Sequence, residues 1–187
     1  VKYTVDFSTE YNVMGQTMDE SQKVQVYAEA PNKYFRSMSF RGNMAEQKVS
    51  DGEKLYVSHK LSPEMNFYEA NAAPDSLEQV LAGDPLGHAL MNDLVLLENG
   101  YSEFIQDFST ISYEGKDKKG ETEFHKLSVK SPRSAGELHV QTGEKPLPQK
   151  LTYEMNKGQV KVQLTFSNWT TTQDLPDSNF TFNVPED

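Results

Sequence analysis

The sequence predicts a mainly β protein with a minor α component: an antiparallel sheet or barrel of about eleven strands, interrupted near its middle by two helices. Three observations carry this expectation. Hydrophobicity alternates with a period of two along most of the chain, turn signals recur about every 8–12 residues, and the period becomes helical only over 73–99. There is no strand–helix–strand rhythm and no internal repeat, so a doubly wound α/β fold is excluded. The expected organisation is one domain, with a strand meander over 1–72, two helices over 73–99 and further strands over 100–187.

VKYTVDFSTEYNV sets Val1, Tyr3, Val5, Phe7, Thr9, Tyr11 and Val13 on one face, against Lys2, Thr4, Asp6, Ser8, Glu10 and Asn12. That is a strand with one buried side. A polar turn region is expected from Met14 to Ser21. QKVQVYAEA resumes the alternation, Pro31 breaks or bends it, and KYFRSMSFRG continues it with Tyr34, Met38 and Phe40 in phase. Asp51-Gly52 between two apolar runs marks a tight hairpin, because such turns need positive φ. MNFYEA, after Pro63, completes a meander of about six strands.

In APDSLEQVLAG, Asp75 or Ser76 offers an N-cap, Glu78 sits in the first turn and Gly83 is the stop. Asp84-Pro85 opens a second helix, in which Leu86, Leu90, Leu94 and Leu97 recur at helical spacing and form a broad apolar face. Strands are then expected from EFIQDFSTISYEG across the charged tip KDKKG to ETEFHKLSVKS. ELHVQTGEKPLPQKLTYEM and QVKVQLTFSNW follow, with NFTFNV as the closing strand that turns Phe180 and Phe182 to the core. Regular alternation after Phe166 would leave Trp169, the single tryptophan, on the outer face; a bend at Ser167-Asn168 returns it inward, and the bend is expected because an exposed indole forfeits burial energy.

The net charge of −10 argues against non-specific nucleic-acid binding and against docking on anionic headgroups, both of which need a basic surface. It does not bear on binding an acyl chain. The absence of cysteine excludes disulfides, thiolate metal sites and a cysteine nucleophile. No apolar run is long enough to span a bilayer as a helix. The chain starts at Val1 rather than Met, and the expectation is a periplasmic or otherwise extracytoplasmic protein that has lost a signal segment, with lipid anchoring as an option.

No nucleotide-binding, zinc-protease, nucleophile-elbow or calcium-loop motif is present, and no cofactor, metal or catalytic residue is expected. His59, His88, His125 and His139 are far apart. His125 and His139, with Glu123 or Glu137, are a weak metal grouping that polar strands produce by accident. Arg36 shares parity with Tyr34, Met38 and Phe40, which makes it a candidate anchor for an anionic headgroup or a lid on the interior side, but an arginine near a strand end that snorkels to water is the preferred reading.

Several stretches together carry a family resemblance. APNKYFRSMSF followed by VSDGEKLYVSHKLSPEMNFYE resembles the bacterial periplasmic lipoprotein carriers and receptors of the LolA/LolB-like superfamily. GDPLGHALMNDLV, PLPQKLTYEM, LTFSNW and FTFNVPED are similar to a family of predicted periplasmic proteins, DUF2092-like, with that same fold. The resemblance covers roughly 22–187 and rests on the order and spacing of short motifs. It implies a strongly curved, incomplete antiparallel β-barrel with a helical lid over an apolar cavity. In the carriers an arginine precedes the Pro of the x-P-N stretch and latches the lid; here that position is Ala30, so the carriers' opening mechanism does not transfer.

The function expected from this resemblance is non-enzymatic. A monomeric cell-envelope protein would hold a lipid or acylated ligand between sheet and lid, against Val24, Val26, Met38, Phe40, Leu55, Val57, Phe67, Leu90, Leu94, Phe166 and Trp169. The alternative is an envelope sensor or adaptor that binds a protein partner on the same scaffold, and a hydrolase is the remote third.

Overall fold

The first strand of the chain lies beside the last. In the computed structural model β1 (Lys2–Val13) and β11 (Val160–Thr170) are neighbours in a single eleven-stranded sheet. The structure describes residues 1–13, 16–41, 43–62, 65–82, 84, 92–100, 102, 104, 108–144, 146–171 and 175–184. On one side of β1 come β2 (Gln16–Glu29), β3 (Lys33–Phe40), β4 (Asn43–Ser50), β5 (Lys54–Ser62) and β6 (Met65–Ala72), each beside the next. Beyond β11 come β10 (Pro148–Met155), β9 (Ser134–Gln141), β8 (Thr122–Lys130) and β7 (Thr110–Lys119). Pairing is antiparallel from β2 to β6 and from β7 to β11. β6 and β7 end the order, so the sheet is open rather than a closed barrel.

Two units share these strands. One comprises Val1–Val5, Gln22–Leu97 and Asn168–Asp187, the other Asp6–Ser21 and Glu98–Ser167. In the first, Tyr3, Val5, Val24, Val26 and Tyr34 are fully buried; in the second, Val129, Leu138, Leu151, Leu164 and Phe166 form the core. These are the positions that the period-two pattern sets inward.

Local chemistry fixes the turns of the first unit. The Asp51 carboxylate accepts from the backbone N–H groups of Glu53 and Lys54 at 2.8 and 2.7 Å, and Gly52 adopts φ +102°. That is an Asp-Gly turn of the expected kind. Pro31 does not bend one strand; it lies in the turn between β2 and β3, where the buried Asn32 donates to the carbonyls of Gly52 (3.0 Å) and Pro74 (2.7 Å). Helix α1 (Leu77–Leu81) starts at Ser76, whose hydroxyl accepts the N–H of Gln79 at 3.3 Å. Helix α2 spans Asn92–Leu96; Gly83 and the Pro85–Met91 start of the second expected helix lie outside the described residues.

Several expectations are corrected. β2 begins at Gln16, so most of the anticipated turn region is strand; its residues from Gln16 to Ser21 are all exposed, and a strand with no buried face has no hydrophobic period to read. The described residues before Thr110 do not open a strand: Gly100, Ser102 and Phe104 are helical, β7 starts only at Thr110, and the rest of EFIQD lies outside the described residues. The charged KDKKG tip is the end of β7, with the turn at Gly120-Glu121.

NFTFNV is not a strand either. Asp177–Phe180 forms a 3-10 turn and 181–184 has no ladder partner. Asp, Ser and Asn are poor strand formers, and the Lys33 ammonium holds the Asp177 carboxylate at 2.5 Å. Phe180 is still buried, and Phe182 stacks on Tyr56 at 4.8 Å. Tyr56 stands opposite Val49 on β4, on the face away from Lys48 and Ser50. All three β4 residues are buried, so β4 is covered on both sides.

The bend at Asn168 is present. Asn168 takes φ +57°, and Trp169, half-buried, stacks on the fully buried Tyr3 with ring centroids 4.5 Å apart.

Candidate functional site

Register assembles the inner face of the first unit from three rows of opposed residues. One row reads Val24, Met38, Glu46, His59 and Phe67 across β2 to β6. The next reads Val26, Arg36, Lys48, Val57 and Glu69, and the third Ala28, Tyr34, Ser50, Leu55 and Asn71. Six of the expected lining residues, Val24, Val26, Met38, Leu55, Val57 and Phe67, therefore do share one face with Arg36. Phe40 continues it at the end of β3, opposite Gln22. Phe67 is 59% exposed, at the outer end of its row. Leu94 lies on α2, half-buried; Leu90 is outside the described residues, and Phe166 belongs to the core of the other unit.

The middle of this face is ionic. Arg36 is only 2% exposed, which overturns the snorkelling reading. Its Nε lies 3.3 Å from Asp84 Oδ2, its Nη2 donates to Asp84 Oδ1 at 3.3 Å, and Nη2 also donates to Glu46 Oε1. Lys48, buried beside it, lies 3.6 Å from Asp84 Oδ2 and donates to the carbonyl of Val80, in α1, at 2.6 Å. Two cations thus face two carboxylates; both reach Asp84, and Lys48 also holds α1 through the Val80 carbonyl. Burial lowers the Lys48 pKa, opposed by the charge of Asp84. Burial pulls on Arg36 in the same direction, but Asp84, Tyr34 and Glu46 outweigh it and its pKa is raised. Arg36 Nη1 and Ser50 Oγ are buried without a hydrogen-bond partner among the described residues.

A neutral relay lies next to the ionic group. The Tyr3 hydroxyl donates to Asn92 Oδ1 at 2.6 Å, and Asn92 Nδ2 donates to the Tyr34 hydroxyl at 2.8 Å. All three side chains are fully buried, so the first residue of α2 is tied to two strands. Burial raises the Tyr34 pKa well above its ordinary 10.0. A group raised on folding lends stability that is complete below its unfolded pKa and is lost as pH rises beyond it. We therefore expect the denaturant midpoint to fall above pH 10.0, with Tyr34 ionising only as the chain unfolds. Tyr34→Phe should flatten that alkaline slope in phenolate absorbance and urea titrations, and an unchanged slope would contradict the assignment.

His125 and His139 do not converge, and His88 lies outside the described residues. His125 stands opposite Val140 and His139 opposite Lys126, which puts the two rings on opposite faces of the sheet. Among the described residues no three imidazole or carboxylate groups are placed to hold a metal ion. The second unit carries a separate groove of about 750 Å³, lined in part by Glu10, Glu137, Thr152 and Lys161, with Lys161 and Glu10 paired at 3.3 Å.

Sequence reasoning found Arg36 but missed Lys48, Asp84 and Asn92. Lys48 was legible in principle, because Glu46, Lys48 and Ser50 share the parity that pairs with Arg36. Val49 masked it: an apolar residue between polar ones reads as the buried side.

A family model described as "Predicted periplasmic protein (DUF2092)" matches residues 1–187. The chain belongs to this family. Among solved structures, the DUF2092 chain resembles MucB with a TM-score of 0.53 at 16% identity, over 97% of this chain and 57% of that one. It resembles the Mycobacterium tuberculosis lipoprotein LppX with a TM-score of 0.49 at 13% identity, over 94% and 89%. The LolA superfamily protein NE2245 from Nitrosomonas europaea matches with a TM-score of 0.38 at 10% identity, over 97% and 90%. At such identities the likeness is one of fold, and the DUF2092 chain spans little more than half of MucB. A search of curated protein sequences found no match. The fold is an open antiparallel sheet, and the localisation is that of the family, predicted periplasmic.

Proposed function

We propose that this DUF2092 protein is a non-enzymatic envelope protein that shelters a lipid or acylated ligand on the inner face of its first unit, beneath the segment that Asp84 anchors. The observation that carries the reading is the ionic junction of Arg36, Lys48 and Asp84. A permanent core gains little from such charges, since apolar residues of like volume usually serve as well or better. A junction that must part does gain, because water re-solvates the charges when the segment lifts. Arg36 is thus both the anchor of the cover and, through Nη1, which has no hydrogen-bond partner among the described residues, a donor for an oxygen at the polar end of a ligand. Val24, Val26, Met38, Phe40, Leu55, Val57 and Leu94 are the proposed apolar lining, with Phe67 and Trp169 as its further members.

The test is a titration of delipidated protein with a fluorescent long-chain fatty acid and with a diacylated lipopeptide. Saturable binding of either probe is expected. Shortening the chain by two methylenes should weaken it about tenfold, at about 0.8 kcal/mol per buried CH₂. Folded protein that binds neither probe would overturn the proposal.

A further inference from the structure

The two ends of the sheet are built differently. β7 carries Lys116, Lys118 and Lys119, and its register shifts between Tyr113 and Gly115. Lysines and bulges are how edge strands are kept from pairing with other chains. β6, at the opposite end, holds no lysine and no proline in its sequence MNFYEANA. The one register shift of its ladder falls on β5, between Lys60 and Ser62, and the pairing is unbroken from Asn66 to Ala72. Every residue from Phe67 to Ala72 is exposed, with Phe67 at 59% and Tyr68 at 44%. Among the described residues no strand pairs with its outer side. An edge strand of this kind presents main-chain donors and acceptors in a row, with apolar side chains above and below.

We propose that β6 is a strand-addition site for an extended segment of a protein partner, with a lysine or arginine of that segment opposite Glu69. Charge selects this occupant. Glu69 is the single charged residue of β6, and the chain carries −10 overall. A second copy would bring another −10, and antiparallel self-pairing centred on Glu69 would set two carboxylates directly opposite each other, which is unfavourable. A cationic strand meets neither obstacle. On the other face, Tyr68 is 5.6 Å from Phe182, whose ring stacks on Tyr56, and the small Ala70 beside Tyr68 leaves room for an apolar side chain of the partner. Main-chain bonds would supply affinity, and the side chains opposite Glu69 and Ala70 specificity.

The test uses labelled synthetic decapeptides of alternating valine and threonine with one central lysine, its glutamate counterpart, and a lysine version N-methylated on alternate amides. Anisotropy titrations should saturate with the lysine peptide, be about fivefold weaker with glutamate, and vanish on N-methylation. Peptide binding should slow amide exchange over 66–72. Glu69→Lys, at an exposed position, should reverse the order of the two charged peptides. Absence of saturable binding, protection confined to other strands, or an unreversed order would each overturn the proposal. So would a homodimer, seen by light scattering, that the lysine peptide does not dissociate.

Discussion

Asp84→Ala should lower the unfolding free energy by about 3 kcal/mol or more, the range for breaking a buried ion pair by removing one partner. The loss leaves Arg36 and Lys48, both buried, with Glu46 as the remaining carboxylate of the group. The companion experiment separates charge from packing. Arg36→Met combined with Asp84→Leu removes one charge of each sign and should recover most of the loss, because an apolar pair of like volume needs no desolvation of ions. Urea denaturation of the parent, the single and the double variants measures both numbers. If the Asp84→Ala chain unfolds at the parent midpoint, the junction contributes nothing to closure. Amide exchange adds a spatial readout: α1, held by Lys48 through the Val80 carbonyl, should open more often in the single variant.

The second large effect is expected at Gly136. It stands on β9 between Val129 of β8 and Tyr153 of β10. A Cβ there would collide with the carbonyl oxygen of Thr152 and lie 2.6 Å from Tyr153 Cβ and 2.7 Å from its Cα. Backbone atoms cannot turn aside as a side-chain tip can, so β9 and β10 would have to separate. Gly136→Ala should cost about 3 kcal/mol, the upper part of the range for forced overpacking, and Gly136→Val more. Ala135, next in line and exposed, is the control, and Ala135→Thr should stay within about 0.5 kcal/mol of the parent. Thermal or urea melts of the three proteins decide it, and a Gly136→Ala protein as stable as the parent would show that the two strands part freely.

How far the sequence foretold this depends on how many sides of an element are covered. β1 and β3 were legible because one face is more deeply buried than the other. β4 was half legible: its Val49 was visible, but the covered Lys48 was not, because the C-terminal segment buries the second face and nothing local announces that. The start of β2 was invisible for the opposite reason, having no buried face. Phe180 and Phe182 were read as alternation in a strand, yet two aromatics do not make a ladder when Asp177, Ser178 and Asn179 precede them. The Arg36 site was legible only in part. Its own parity pointed inward, but its partner Asp84 is 48 residues away and looked like a helix cap. Caps and counter-ions use the same carboxylate, and the choice between them is made by tertiary contacts.

The neighbourhood of β1 and β11 has a consequence for the order in which the molecule forms. Tyr3 is made long before its stacking partner Trp169. Until 160–170 has been made, one edge of β1 has no strand to pair with, and neither unit is complete, since each includes part of β1 and part of β11. Vectorial, piecewise folding during synthesis is therefore denied to this topology. The sheet remains incomplete until β11 has been made, so its completion waits for a contact between segments far apart in the sequence.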